Sequence, residues 1–281
     1  MVRILTDSSS EISYEDAKER NIDLLPIMVT FENGGEISSL DMQVSEFYEK
    51  MATAQVLPKT SQINAFTFEE YFESIKKAGD TAVVLPISSG LSGTYQSAVT
   101  AAEKYMGIVF VVDVKTTTFS LRDIVYRITK LRDNGMQARE LAKEAGKIKD
   151  KARLYAYIDT LRYLKMGGRV SGAQAAIGTV LNIKPIITVE KGLVEVIGKE
   201  RGQKNALDKI ISLFLENDID YEQGITMASS DGNADDYAIL SEAIMAADRN
   251  ITRSMIAYST IGPTIGTHVG PGAIAMSFFT K

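Results

Sequence analysis

The sequence predicts an α/β protein arranged as two α/β domains, and three observations predict it. Apolar runs of strand length recur at Val2 to Leu5, Thr81 to Ile87, Ile108 to Asp113 and Leu154 to Ile158. Segments of helical period lie between several of them, and this alternation calls for a parallel sheet covered by helices, because parallel strands need a crossover long enough to hold a helix. The chain has 281 residues where a domain usually holds roughly 100 to 200, so two domains sharing an interface are expected, with a single domain as the alternative.

In chain order, Val2 to Leu5 is the first strand and runs into the polar loop Thr6 to Ser10. Thr67 and Glu70 have the spacing of a capping box and predict a helix start. Thr81 to Ile87 is almost wholly apolar, as a strand covered on both faces must be. The Gly-Ser loop Ser88 to Thr94 then opens a helix whose apolar stripe is Tyr95, Ala98, Val99 and Ala102. After the strand Ile108 to Asp113, a helix is marked by Leu121, Ile124, Val125, Ile128 and Leu131, with Gly135 as its stop. Beyond the strand Leu154 to Ile158 the texture changes, which sets an N-terminal α/β domain at 1–157 and a C-terminal α/β domain at 158–281. The second half reads as a glycine-rich helix from Gly167 to Asn182, a strand pair around Lys191-Gly192, a helix, a strand from Gly224 to Ser230, a helix and a last strand ending near Phe279. No fixed-period repeat and no linker rich in Pro, Gly or Ser interrupts this order.

Composition narrows the function classes. A formal charge of −5 argues against broad nucleic-acid binding, which needs a basic face to displace counterions. Against that acidic whole stand Lys143, Lys147, Lys149, Lys151, Arg153, Arg162, Lys165 and Arg169, for which a solvated helix face is the plainer reading. The absence of cysteine removes disulfides, thiolate nucleophiles and thiolate metal sites together, and suits a reducing cytoplasm. The amino terminus has no apolar core of a secretory signal, and no apolar stretch reaches the ~20 residues that span a bilayer. A cytoplasmic protein is expected, with a peripheral role at the inner face of the membrane left open.

Four polar loops are candidate chemistry: Thr6 to Ser10, Pro58 to Gln62, Ser88 to Thr94, and Gly262 to Gly272. Ligands collect at the carboxyl ends of parallel strands, where such loops fall. The Ser88 to Thr94 loop would turn amides and hydroxyls toward an anion at a helix amino end, although Ser92 as a simple cap explains it equally well. The sole histidine, His268, lies in a loop crowded with glycine and proline, and one histidine cannot build a multi-histidine metal site, so no metal is expected. A structural histidine is the plainer reading, as an ordinary turn is for Thr60 and Ser61. Arg162, Lys165 and Arg169 flank the Gly167-Gly168 pair, an elbow on which an arginine can reach a phosphate with two parallel hydrogen bonds.

In this order, TDSSSE, PKTSQ, ISSGLSGTYQSA, VVDVKTTT, LRYLKMGGRVSG, LNIKPII and IGPTIGTHVGPGA resemble the DegV family, whose members bind fatty acids and include the FakB subunits of bacterial fatty acid kinase. The resemblance covers nearly the whole chain. It implies two α/β domains with the acyl chain in a tunnel between them and the carboxylate near the surface. It places carboxylate binding on Thr60, Ser92 and His268, with Ser61 as a neighbour, and links Arg169 to engagement of the kinase. The implied activity is substrate presentation: the chain is not itself an enzyme, has no cofactor besides the fatty acid, and offers the carboxylate to a kinase subunit that transfers phosphate from ATP, giving acyl phosphate for phospholipid synthesis.

Two departures stand out: Ile63-Asn64 follows PKTSQ where the family often has proline, and Phe119-Ser120-Leu121-Arg122 stands where a glycine pair is common. The physical logic agrees with the resemblance. A tail of ~16 to 18 carbons brings about 0.8 kcal/mol of burial per CH₂, so the head group needs orientation more than attraction. Wall candidates are Ile27, Val29, Phe31, Ala173, Ala176, Ile177 and Val180, residues that more often are plain core. Lipid exchange implies transient contact with a membrane surface and a mobile helix near the entrance.

Two rival classes remain. One is a small-molecule phosphotransfer enzyme using the Gly-Ser loop and His268, against which stands the lack of a GxxxxGK[ST] sequence. The other is a lipid sensor without a kinase partner.

Overall fold

The structure, a computed structural model, describes residues 1–32, 34–170, 182–230, 232 and 234–281. Its strands are β1 (Val2–Asp7), β2 (Ile22–Leu25), β3 (Met28–Thr30), β4 (Glu36–Ser38), β5 (Lys59–Ser61), β6 (Thr81–Leu85), β7 (Val109–Val111), β8 (Ala152–Tyr157), β9 (Ile183–Glu190), β10 (Leu193–Arg201), β11 (Ile225–Ser229), β12 (Ile256–Thr260) and β13 (Ile274–Phe279). Its helices are α1 (Tyr14–Glu19), α2 (Val44–Thr53), α3 (Ala65–Lys77), α4 (Thr94–Ala102), α5 (Thr118–Asp133), α6 (Ala138–Ile148), α7 (Arg162–Met166), α8 (Gln203–Leu215), α9 (Ala234–Ala247) and α10 (Pro263–Val269).

The first sheet is parallel, in the order β2-β1-β6-β7. Successive side chains of a strand point to opposite faces, so each strand feeds two cores. Ile4, Val83 and Leu85 pack with Leu121, Ile124, Val125 and Ile128 of α5 and with α6 on one face. Leu5, Ala82 and Val84 pack with Phe68, Phe72, Ala98 and Ala101 of α3 and α4 on the other. The second sheet is mixed, in the order β10-β9-β8-β13-β11-β12, with only β11 and β12 parallel. One of its faces carries α8 and α9. The other meets Phe119 of α5, Leu164 of α7 and Ile265 of α10, and this apolar layer is the seam with the first sheet. A third sheet, β4-β3-β5, closes a small cluster of Val29, Met42, Phe47, Met51 and Leu57 with α2.

The α/β class and the strands expected from periodicity are present, and the strand pair at Lys191-Gly192 is a hairpin with both turn residues at positive φ. Several readings need correction. The helix expected at Thr67 starts earlier: Asn64 is its cap, and its side chain accepts from the Thr67 amide at 2.9 Å. Pro58 to Gln62 contains strand β5 rather than a loop alone. Gly262 to Gly272 contains helix α10, begun by Pro263 at its first turn and ended by Gly270 at φ +77°; the prolines and glycines read as loop signals are its start and stop. β8, assigned to the N-terminal half, hydrogen bonds to β9 and β13 and belongs to the second sheet. Most of the glycine-rich segment, with Ala173, Ala176, Ile177 and Val180, lies outside the described residues. The two departures have clear roles: Ile63 is buried and Asn64 caps α3, while Phe119 enters the seam and Leu121 the first core. Among the described residues, no helix is long and apolar enough to cross a membrane.

Candidate functional site

Thr60, Ser92, Arg169 and His268 come from four separate elements and line one cavity of about 60 Å³ between the two sheets. Thr60 lies on β5, Ser92 in the turn before α4, Arg169 just past α7 and His268 on α10. The apolar part of the wall includes Ile27, Leu91, Leu164, Val194 and Ile265. Of the other expected wall residues, Val29 and Phe31 pack instead in the small cluster around Phe47.

The first loop is a fastener. Asp7, buried at the end of β1, accepts from the Ile87 amide at 2.8 Å and the Ser9 amide at 3.0 Å, binding the ends of β1 and β6 together. Burial pushes its carboxyl above the usual range despite those bonds. Ser8 is a hub: its hydroxyl oxygen accepts from the Ile27 amide at 2.8 Å and from the Ser39 hydroxyl at 2.8 Å, and lies 3.1 Å from the Thr264 hydroxyl on α10. Glu11 accepts from the Gly262 amide at 2.9 Å, so the run Ser8 to Glu11 sets the position of α10 and of His268.

His268 Nε2 is 2.9 Å from the Thr60 hydroxyl. Burial and the nearby positive charge of Arg169 lower the imidazole to about 4, so it is neutral at pH 7. Nδ1 is buried with no hydrogen-bond partner among the described residues, and a Cβ on Gly167 would stand 2.3 Å from it. An orphaned buried N–H is rarer than an orphaned acceptor, which assigns the proton to Nε2. Nε2–H then donates to Thr60, whose own hydroxyl proton is left to donate into the cavity.

The Ser92 hydroxyl oxygen accepts from the Thr94 amide at 3.2 Å and lies 3.0 Å from the Thr94 hydroxyl. The amino end of α4 is not open, because a Cβ on Gly93 would lie 1.9 Å from Gln62 Oε1: the Gln62 amide fills that space. Ser88 is likewise engaged, donating to the Gly192 carbonyl at 2.8 Å across the seam. Ser61 borders the cavity but turns its hydroxyl to Glu36 Oε1 at 2.8 Å, as its place beside Thr60 on a strand dictates.

Arg169 donates from Nε to the Leu91 carbonyl at 3.0 Å and from a terminal nitrogen to the Gly167 carbonyl. Among the described residues no carboxylate pairs with it, and burial lowers its pKa. A half-buried cation with no carboxylate partner among the described residues, beside two hydroxyls of which one is oriented by a neutral imidazole, suits an anion with two oxygens. Gln62 and Thr264 fall inside the candidate loops and Thr117 inside the VVDVKTTT motif, but sequence reasoning singled out none of them, because their place in the cavity lining is set by tertiary structure. Arg162 and Lys165 of the basic run are exposed on α7, whereas Lys147 pairs with Glu144 and Lys149 reaches the Asp113 carbonyl. No group of three or more metal-ligating side chains occurs among the described residues.

A family profile described as "Uncharacterised protein, DegV family" matches residues 1–281. A DegV domain-containing protein of Caldanaerobacter subterraneus is 31% identical over 282 aligned positions, covering 100% of this chain and 99% of that one. Among solved structures, a fatty-acid-binding DegV family protein from Thermus thermophilus superposes with a TM-score of 0.88 at 27% identity, covering 100% of this chain and 99% of the other. DegV from Bacillus subtilis, described as a fatty acid binding protein, gives 0.84 at 27% identity over 100% and 99%.

Proposed function

The chain belongs to the DegV family, and on that premise we propose that it binds one long-chain fatty acid, with the carboxylate held at Thr60, Ser92 and His268 and offered to a separate kinase subunit. The observation that carries the proposal is the convergence of those three side chains, distant in sequence, with Arg169 on one cavity. The fatty-acid binding of the solved relatives supports the choice of ligand.

Held by the Thr60 and Ser92 hydroxyls, with the neutral His268 imidazole donating to Thr60 and so turning the Thr60 proton toward the ligand, a carboxylate keeps one oxygen able to attack the γ-phosphorus of ATP on the kinase subunit, with ADP leaving and acyl phosphate forming. Arg169 is placed to meet the charge of the incoming phosphoryl group. The acyl chain occupies the seam and exchanges through brief contact with a membrane surface.

The test has two parts. Fatty acid should appear in the denaturing mass spectrum of the purified protein. With the kinase subunit and ATP, His268→Ala and Ser92→Ala should lose acyl phosphate formation, whereas Arg169→Ala should keep lipid binding and lose phosphorylation. Full turnover by both the His268 and the Ser92 variants would sink the site assignment. A ligand-free spectrum with turnover of a small phosphorylated metabolite would favour an enzyme, and unaltered phosphorylation of Arg169→Ala would remove the role given to that residue. Flotation with anionic liposomes at low salt tests the membrane contact.

A further inference from the structure

We propose that Thr117, at the amino end of α5, is a further ligand of the anionic head group, donating its hydroxyl to a carboxylate oxygen inside the cavity. The inference rests on the fatty-acid reading above and adds a residue to it.

Thr117 lines the same cavity as Thr60, Ser92, Arg169 and His268. It is only 6% exposed, and its Oγ1 has no hydrogen-bond partner among the described residues. Buried hydroxyls are almost always satisfied, so an unpaired one on a residue of the cavity wall points to a partner that arrives with the ligand. Its position sharpens the point. Thr117 is the cap residue of α5, a helix of 16 residues, where a threonine oxygen ordinarily accepts a first-turn amide. Here it makes no such bond.

The backbone supports the placement. Thr118 has φ +53°, a left-handed conformation that a β-branched residue adopts only under constraint. The constraint is visible one turn back, where the Ser88 amide bonds the Thr116 carbonyl at 3.0 Å and the Lys115 amide bonds Asp113 Oδ1 at 3.1 Å. Behind Thr117 stand the first-turn amides of α5, whose dipole favours negative charge, and no acidic residue occupies that turn. The demand for another donor also comes from the site itself. A carboxylate accepts about four hydrogen bonds, and Thr60 and His268 already spend one donor on each other.

The experiment compares binding of palmitic acid and of hexadecanol, equal in chain length but different in head group, to delipidated wild type, Thr117→Val and Thr117→Ser. Wild type should prefer the acid. Thr117→Val, nearly isosteric but without the hydroxyl, should bind the acid roughly ten- to a hundred-fold more weakly and the alcohol almost unchanged, and Thr117→Ser should restore the acid. If Thr117→Val does not fold, the carboxyl ¹³C shift of labelled palmitate bound to Thr117→Ser and Thr117→Ala decides: a shift like wild type in serine and displaced in alanine supports the role. Equal loss of acid and alcohol, an unchanged acid affinity, or one carboxyl shift in all variants overturns the inference alone. A wild type that binds neither ligand overturns the fatty-acid reading, and this inference with it.

Discussion

At His268 the environment decides the chemistry. Burial makes the imidazole neutral, and the backbone of Gly167 seals the Nδ1 side so closely that no Cβ fits. Gly167→Ala should therefore push the ring or the elbow aside, cutting fatty-acid affinity at least ten-fold while leaving circular dichroism and the thermal midpoint close to wild type, since Gly167 has ordinary helical φ and ψ and lies near the surface. Isothermal titration with palmitate checks it, and an unchanged affinity would show that the contact is loose. Thr60, Ser92 and His268 were legible because ordered short motifs carry them. Their partners were not: that Ser61 turns to Glu36, that Gln62 fills the amino end of α4, and that Thr117 is left unbonded are facts of strands and helices meeting across the fold, which no local pattern encodes.

At the scale of elements, α10 is the piece on which the site turns, and it is held from the amino-terminal loop. Glu11 accepts from the Gly262 amide, and burial pushes its carboxyl up to about 8. In the unfolded chain the group ionises near 4.5, so between those values the folded protein holds a proton that the unfolded chain gives up. Stability from this group is complete below pH 4.5 and declines as pH rises toward 8, by roughly 1.4 kcal/mol per unit. His268 acts in the opposite sense, losing stability as pH falls from 6.5 toward 4, so pH 6.5 to 8 separates Glu11 from His268. Glu11→Gln, which keeps an acceptor for Gly262, should flatten the fall in urea midpoint over that window; an unchanged slope would place the proton elsewhere, with Asp7 and Asp123 next in line. Legibility differed among elements for a physical reason. β1 and β6 stand out in sequence because the sheet is packed on both faces, whereas β3, β4 and β5 have three residues each and owe their existence to antiparallel partners. α10 has 7 residues, too few for a periodic stripe.

At the scale of the whole molecule the two sheets are joined by an apolar layer and by polar ties around it. Ser88 reaches Gly192, and Arg122 of α5 reaches Ser259 and Thr226 in the second sheet. The cavity at this seam is about 60 Å³, against the roughly 300 Å³ or more that a ligand of fatty-acid size requires. On the proposed function the tail parts the seam, and part of its burial energy is spent on doing so. Ile265, only 9% exposed, stands both in the seam layer and on the cavity wall. Ile265→Val removes one methylene there, which should lower the stability of the ligand-free protein by about 1 kcal/mol and at the same time leave less crowding for the tail to displace. The expected result is a lower thermal midpoint without ligand and a larger upward shift on adding palmitate, since stabilisation grows with the ratio of free ligand to Kd. Differential scanning calorimetry with and without ligand reads both quantities. A shift that shrinks along with the midpoint would mean that Ile265 grips the chain in the closed form and that the tail runs elsewhere.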